Sequence, residues 1–403
     1  MHKRPKEAIL ATQYNVISAD SHLDTLRPDR WVPHVEAKWR DRAPKLVTFG
    51  DGREGFVVEN RRIRSHGSGL PHRMYGANAP KNPGDGSPEQ RLQEQDRDGV
   101  DAEIMYTHGQ MPFWRGTSDD AAYEAVVRGY NEWLAEEYCA VAPDRLIAMG
   151  LVPDTGVDAA IAEMEHIARI GLKGVQFIAY PSGKGYPTPE DDRFWTAAVE
   201  MKMPLTSHTV SGSTRLSSGT ARLSGRDPLF KYPKEQGRPG GDPMTVVLRF
   251  VGEQATAHVQ MSMAGVFDRL PDLKLCWSET QAGWLAHAMA QMDHNFECNS
   301  YLAEKDYGLL PPAKRFSEYM VDNAVWVFLN DPIGVKMRRE VGVDKLLWGS
   351  DFPHSATDWP YSREAIDTMF DGVPEDERYR MLAGNAIDFW RLDVPAAVPA
   401  TSA

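Results

Sequence analysis

Eight times along this chain a short, largely apolar run recurs, and the intervening text repeatedly carries helical periodicity. The runs are "YNVISAD", "DAEIMYTH", "LIAMGLVP", "LKGVQFIAY", "MPLTSHTV", "LKLCWSET", "AVWVFLN" and "KLLWGSDFPH". Amphipathic stretches separate most of them, among them "PEQRLQEQDRDGV", "SDDAAYEAVVRGYNEWLAEEYCAVAPDR", "VDAAIAEMEHIARIG", "DDRFWTAAVEMK" and "VVLRFVGEQATAHVQMSMAGVFDRLP". Strands buried on both faces with helical crossovers predict a parallel sheet covered by helices. Eight such units in 403 residues predict a closed (β/α)8 barrel in place of an open doubly wound sheet. No GxGxxG or GxxxxGK[ST] follows any of the runs, which argues against a nucleotide-binding sheet.

Two excursions interrupt the cycle. Residues 24–88 are aromatic, Arg-rich and Gly/Pro-rich, too long for an ordinary connection after the first strand, and are expected to cap the barrel mouth. Residues 211–243, Ser/Gly/Arg/Pro-rich and placed directly after the fifth strand, are expected to form a lid loop, with a plain surface loop as the alternative. Neither reads as a separate domain, so one domain spanning 1–403 is expected. The net charge of −12 disfavours a phosphate-tracking surface and nucleic-acid partners. No run approaches the roughly 18 apolar residues of a membrane span, and the basic N-terminus lacks an apolar core, so a cytoplasmic protein acting on a small molecule is expected. Cys139, Cys276 and Cys298 contain no CxxC pair and are expected to be reduced, buried thiols.

In a barrel of this kind functional groups come from the C-terminal ends of several strands. The first strand ends in Asp20 and His22, the fifth in His208, the sixth in Glu279 and the eighth in Asp351, with His354 three residues on. Asp20 and His22, two residues apart, point to one side with Ser21 turned away. Imidazoles and carboxylates suit zinc, manganese or iron, and the cysteine positions exclude a thiolate site. Each residue also has a plainer role: Asp20 or Ser21 as a cap, His208 as a hydrogen-bonded core histidine, Glu279 paired with an arginine, Asp351 opening a turn. His108 at the end of the second strand, with Phe113, Trp114 and Trp359 just past strands, could contact or wall a substrate, and arginines of the two excursions could bind its carboxylate. There is no GxSxG elbow and no HExxH helix.

The segments "ISADSHLD", "GLKGVQFIAYP", "MPLTSHT", "VFDRLPDLKLCWSETQAGWLAHAMAQMDH", "LLWGSDFPHSATDWPYSREAI" and "LAGNAIDFWRL" resemble the amidohydrolase-related family that includes aminocarboxymuconate semialdehyde decarboxylase. The resemblance runs from the first strand to the final helix and implies a distorted (β/α)8 barrel in which Asp20, His22, His208 and Asp351 hold a divalent metal. It also implies a dimer or larger oligomer. Where the characterised decarboxylases of that family carry a histidine after the sixth strand, this chain has Glu279. A bound ion polarises substrate oxygens and lowers the pKa of water to about 7. Asp351 would serve as ligand and proton acceptor, and Glu279 and His354 as acid/base groups or as ligands of a second ion. Hydrolysis of a small organic or aromatic acid-type substrate ranks first on this reading. Non-oxidative decarboxylation of an aromatic or muconate-type acid, or dinuclear iron or manganese oxygenation, are the alternatives. A fourth is a non-catalytic metal-binding subunit in a hetero-oligomer with an active homologue.

Overall fold

The computed structural model describes residues 14–23, 28–48, 50, 54–59, 61–63, 84, 86–107, 117–208, 255–308, 311–354 and 356–393. In chain order its strands are β1 (Ile17–Leu23), then β2 (Lys45–Thr48), β3 (Glu54–Val58) and β4 (Arg61–Ile63), then β5 (Ala102–Thr107), β6 (Leu146–Ala148), β7 (Gly150–Leu151) and β8 (Val175–Gln176). They continue with β9 (Leu205–His208), β10 (Leu275–Ser278), β11 (Ala324–Phe328) and β12 (Leu346–Trp348). The strands β1-β5-β6 form one parallel run and β7 to β12 another. Met149 joins β6 to β7, its N–H donating to the Met105 carbonyl at 2.9 Å. A single isolated bridge, Ser21 to Phe352, brings the last strand back to the first. Counting β6 and β7 as one strand, the ring holds the eight parallel strands expected from the sequence, a distorted (β/α)8 barrel.

Alternation along the strands builds two apolar layers. Ile17, Ala19, Ala102, Ile104, Tyr106, Ile147, Met149, Cys276, Val325, Val327 and Leu347 fill the barrel interior. Val16, Met105, Val175, Leu205, Leu275, Trp277, Trp326, Phe328 and Trp348 pack against the helices outside. With period two, neighbouring residues serve opposite layers, which is why the runs are apolar on both faces at most positions.

The structure departs from the sequence reading in several places. Part of the 24–88 excursion is a small antiparallel sheet of β2, β3 and β4. The long helix expected before "LKLCWSET" is interrupted at Gly265, whose φ of 68° lies in the left-handed region, and its described part is split into Ala255–Met263 and Val266–Arg269. A 23-residue helix, Leu285–Tyr307, was not anticipated at all. Cys298 lies on its outward part and is exposed, unlike the buried Cys139 and Cys276, which corrects the expectation of three buried thiols. The lid segment 211–243 falls outside the described residues. No helix among the described residues is long and apolar enough to cross a membrane.

Helix Pro88–Asp98 immediately precedes β5 in the chain and ends in a buried carboxylate, Asp98, 3% exposed. Its Oδ1 accepts from the Ser362 N–H at 3.0 Å, at the start of helix Ser362–Met369. Burial, with smaller contributions from Glu103 and Asp358, pushes its pKa up to about 6, and a negative charge at a helix C-terminus is itself unfavourable. A raised folded pKa means the stabilisation is complete below the unfolded value and is lost as pH rises through about 6. Asp98→Asn keeps the acceptor oxygen and removes the charge. It is expected to melt higher than wild type at pH 8, by up to about 3 kcal/mol of stability, with the gain vanishing toward pH 4. Paired calorimetric melts across that range check this, and a variant less stable at pH 8 would overturn it.

Candidate metal centre

Asp20 and His22 reach the barrel mouth through an irregularity. The β1–β5 register shifts between Ser18 and Ser21, so the interior face that begins with Ile17 and Ala19 continues with Asp20 and His22, while Ser18 and Ser21 turn outward. Bulges re-aim side chains in this way beside functional sites. The outward hydroxyls of Ser18, Ser21 and Ser350 bond one another at 2.9 to 3.2 Å, tying β1 to the end of β12. Gly349 sits where the two meet. A Cβ there would lie 2.6 Å from Asp20 Cβ, so only glycine lets the backbone after β12 approach this closely.

The other strand ends converge on the same point. His208 closes β9. Glu279 and Asp351 lie just past β10 and β12 with φ of 58° and 53°, in the left-handed region that side chains rarely adopt. Their surroundings over-determine that conformation. After Glu279, Thr280 N–H donates to the Val327 carbonyl at 3.0 Å, Gln281 Oε1 accepts from Leu329 N–H at 3.1 Å, and the Ala282 and Gly283 N–H groups both donate to Asp331. Asp351 N–H donates to the Asp20 carbonyl at 2.8 Å and its own carbonyl accepts from His354 N–H at 2.7 Å.

His22 Nε2 lies 3.1 Å from Asp351 Oδ1 and 3.3 Å from Asp20 Oδ1. His208 Nε2 lies 3.3 Å from Glu279 Oε2 and 3.8 Å from Asp20 Oδ1. His354 Nδ1 lies 2.9 Å from Asp351 Oδ1, and its ring stacks on that of His22 with centroids 3.7 Å apart. Tyr106 forms the floor, its ring 6.3 Å from His22 and 6.0 Å from His208, its hydroxyl donating to the Ala19 carbonyl. Asp20, His22, Glu279 and Asp351 have no exposed surface, and His208 and His354 have 6% each.

These residues fit a divalent cation. Ligand bonds of ~2.1 Å place neighbouring donors about 3 to 3.5 Å apart, the spacing found here. The donors of Asp20, His22 and His208, and those of His22, Asp351 and His354, each lie within 4.8 Å of one another. Both oxygens of Asp20 and Oδ2 of Asp351 are buried without accepting a hydrogen bond of ordinary geometry, costly unless something positive faces them. Burial first, then the Asp351 and Glu279 charges, hold the Asp20 pKa far above the usual carboxylate range, with His354 opposing. A cation relieves both the burial and the repulsion.

The structure therefore gathers Asp20, His22, His208, Glu279, Asp351 and His354. It does not bring Trp359 to them. That side chain is 2% exposed, its indole N–H donates to the Glu94 carbonyl at 3.1 Å, and its ring packs against Phe352 and under Arg97. This geometry makes it a packing residue and corrects its expected place in a substrate wall. His108, Phe113 and Trp114 lie outside the described residues, as do the arginines of 64–83 and 209–254. The sequence reading missed Tyr106, Gly349 and a buried pair behind the site, Arg91 and Glu103. Only the charged Glu103 in an otherwise apolar strand hinted at the last.

A parallel barrel with carboxylates and imidazoles pooled at the C-terminal ends of its strands defines a class of metal-dependent barrel enzymes. This chain belongs to the amidohydrolase family, whose pattern matches residues 77–392. It is 23% identical over 314 residues to the 2-amino-3-carboxymuconate-6-semialdehyde decarboxylase of Dictyostelium discoideum, covering 76% of this chain and 77% of that protein. Its fold is similar to that of an amidohydrolase from Mycobacterium avium subsp. paratuberculosis, with a TM-score of 0.69 at 21% identity over 94% of this chain and all of that one. It is also similar to the 5-carboxyvanillate decarboxylase of Novosphingobium aromaticivorans, whose structure holds manganese and a nitrobenzoic acid, with a TM-score of 0.63 at 18% identity over 95% and 100% of the two chains.

Proposed function

We propose that this protein is a divalent-metal-dependent carboxy-lyase that removes CO2 from a small aromatic or muconate-type acid. The observation that carries the reading is the alignment with a muconate semialdehyde decarboxylase along three quarters of both chains; the buried donor set at cation spacing supports it. Asp20, His22, His208, Glu279 and Asp351 would hold the metal. When bound, it would supply Lewis acidity, polarising an oxygen of the substrate and fixing the acid in place.

The rest of the chemistry falls to the chain. The bond from the substrate carbon to its carboxyl group breaks, its electron pair stays on the carbon, CO2 leaves and a proton must arrive. Asp351 and His354, 2.9 Å apart and shielded from bulk water, are placed to hold and deliver that proton. The left-handed backbone at Glu279 and Asp351 holds both residues at the strand ends, where their carboxylates lie 3.3 Å from His208 Nε2 and 3.1 Å from His22 Nε2. A second reading, hydrolysis, has one observation in its favour: a carboxylate, Glu279, stands where the decarboxylases this chain resembles carry a histidine.

One experiment separates these readings. The manganese-loaded protein, incubated with and without oxygen against a panel of hydroxybenzoates and unsaturated carboxylic acids, is expected to release CO2 in step with loss of substrate under both conditions. Amide or lactone cleavage with no CO2 from any acid would favour hydrolysis, and turnover that requires oxygen would favour an oxygenase.

A further inference from the structure

Behind the metal centre, on the outer face of the barrel, lies a charged pair that the chemistry above does not use. Arg91, from helix Pro88–Asp98, is 1% exposed, and Glu103, from β5, is 3% exposed. Burying a guanidinium and a carboxylate together costs more than their attraction returns unless every donor and acceptor is satisfied. Here all five N–H groups of Arg91 find acceptors. Nε donates to Glu103 Oε2 at 2.6 Å and Nη2 to Glu103 Oε1 at 3.3 Å. Nη1 donates to the carbonyls of His22 at 3.1 Å and Gly84 at 3.4 Å, and Nη2 to the carbonyl of Phe352 at 3.3 Å. The guanidinium also lies 4.5 Å from the centroid of the Phe352 ring. Glu103 completes the set by accepting from Ser21 Oγ at 3.1 Å and Gln95 Nε2 at 2.8 Å.

The two carbonyls on opposite sides of the guanidinium identify what it does. His22 is a donor of the metal centre, and Phe352 follows Asp351, another. They come from the first and last strands, which meet at one bridge where other neighbouring strands share a ladder. The Phe352 carbonyl already accepts from His22 N–H at 2.7 Å. Arg91 adds a rigid fork across this thin seam, and Glu103 aims the fork while holding Ser21, the residue between Asp20 and His22.

We propose that Arg91, braced by Glu103, is a positioning residue for the metal centre, setting the 3.1 Å separation of His22 Nε2 and Asp351 Oδ1 through the carbonyls of His22 and Phe352. This rests on the metal-centre reading and extends it to residues that touch neither ion nor substrate. Lysine keeps the charge beside Glu103 but, with a single ammonium, cannot span both carbonyls.

The test is titration of metal-stripped protein with manganese(II), followed by calorimetry and by the spin-resonance signal of the free ion, alongside thermal melts of the stripped proteins. Arg91→Lys is expected to melt within a few degrees of wild type when stripped, yet to bind manganese about 10- to 100-fold more weakly. Should that variant not fold, Glu103→Gln, which keeps the arginine and loosens its aim, is expected to weaken binding in the same direction by about tenfold. Wild-type affinity in either folded variant overturns the proposal. A folded wild-type protein that takes up no manganese, zinc or iron instead sinks the metal-centre reading, and this proposal with it.

Discussion

Asp351→Asn is expected to lower turnover at least about 10³-fold while leaving the fold in place. Asparagine is nearly isosteric and is among the few residues that tolerate a φ of 53°, so the turn after β12 should survive. What is lost is charge at the point where three groups meet, since Asp351 Oδ1 faces both His22 Nε2 at 3.1 Å and His354 Nδ1 at 2.9 Å. An amide presents either a neutral oxygen or an N–H there, and neither serves both as a strong cation donor and as a proton carrier. His354→Gln makes the control. It keeps every carboxylate and so should retain metal while losing turnover, whereas Asp351→Asn should lose affinity for metal as well. Steady-state turnover with elemental analysis of both variants distinguishes them. If Asp351→Asn kept wild-type turnover, no role for this carboxylate in the reaction would stand.

Stripping the metal is expected to destabilise the whole barrel, not only to silence it. Asp20, Glu279 and Asp351 are fully buried and come from three different strand ends, and two like charges ~4 Å apart repel by on the order of 4 kcal/mol even at an effective dielectric of 20. A cation present at a thousandfold over its dissociation constant contributes about 4 kcal/mol to stability by mass action. Differential scanning calorimetry of chelator-treated protein should show the melting temperature several degrees lower, restored by manganese or zinc and not by sodium or potassium. Identical melts with and without bound metal would mean that the pooled carboxylates are neutralised by protons alone, and the cation would have no structural part.

The eight strands were legible because a strand buried on both faces is apolar at most positions, and each of these ends where the barrel opens to solvent. The candidate ligands were legible for the same reason: Asp20, His208, Glu279 and Asp351 stand where an apolar run breaks. What could not be read are features carried by contacts distant in sequence. The shift between Ser18 and Ser21 depends on pairing with β5, and period-two alternation alone would have placed Asp20 opposite Ile17 and Ala19. Arg91 looks like any helix-surface arginine until Glu103, His22 and Phe352 surround it. Trp359 looks like a rim aromatic until helix Pro88–Asp98 covers it. The helix Leu285–Tyr307 carries too weak an apolar stripe to announce itself, and the exposure of Cys298 and Tyr301 shows why: much of its outward half packs against none of the described residues.

The thin seam between the first and last strands has a bearing on how the molecule comes into being. Ser18 and Ser350, hydrogen-bonded across it, are separated by 332 positions along the chain. Contacts so remote are entropically expensive and belong to the slow, late part of folding. Two of the five proposed metal donors, Asp20 and His22, precede their partner Asp351 by 331 and 329 positions. A growing chain therefore carries these carboxyl and imidazole groups without that partner while the intervening residues are made, and the centre exists only once the ring has shut. If the proposed centre holds a cation, competence to bind it is a report that the barrel has closed.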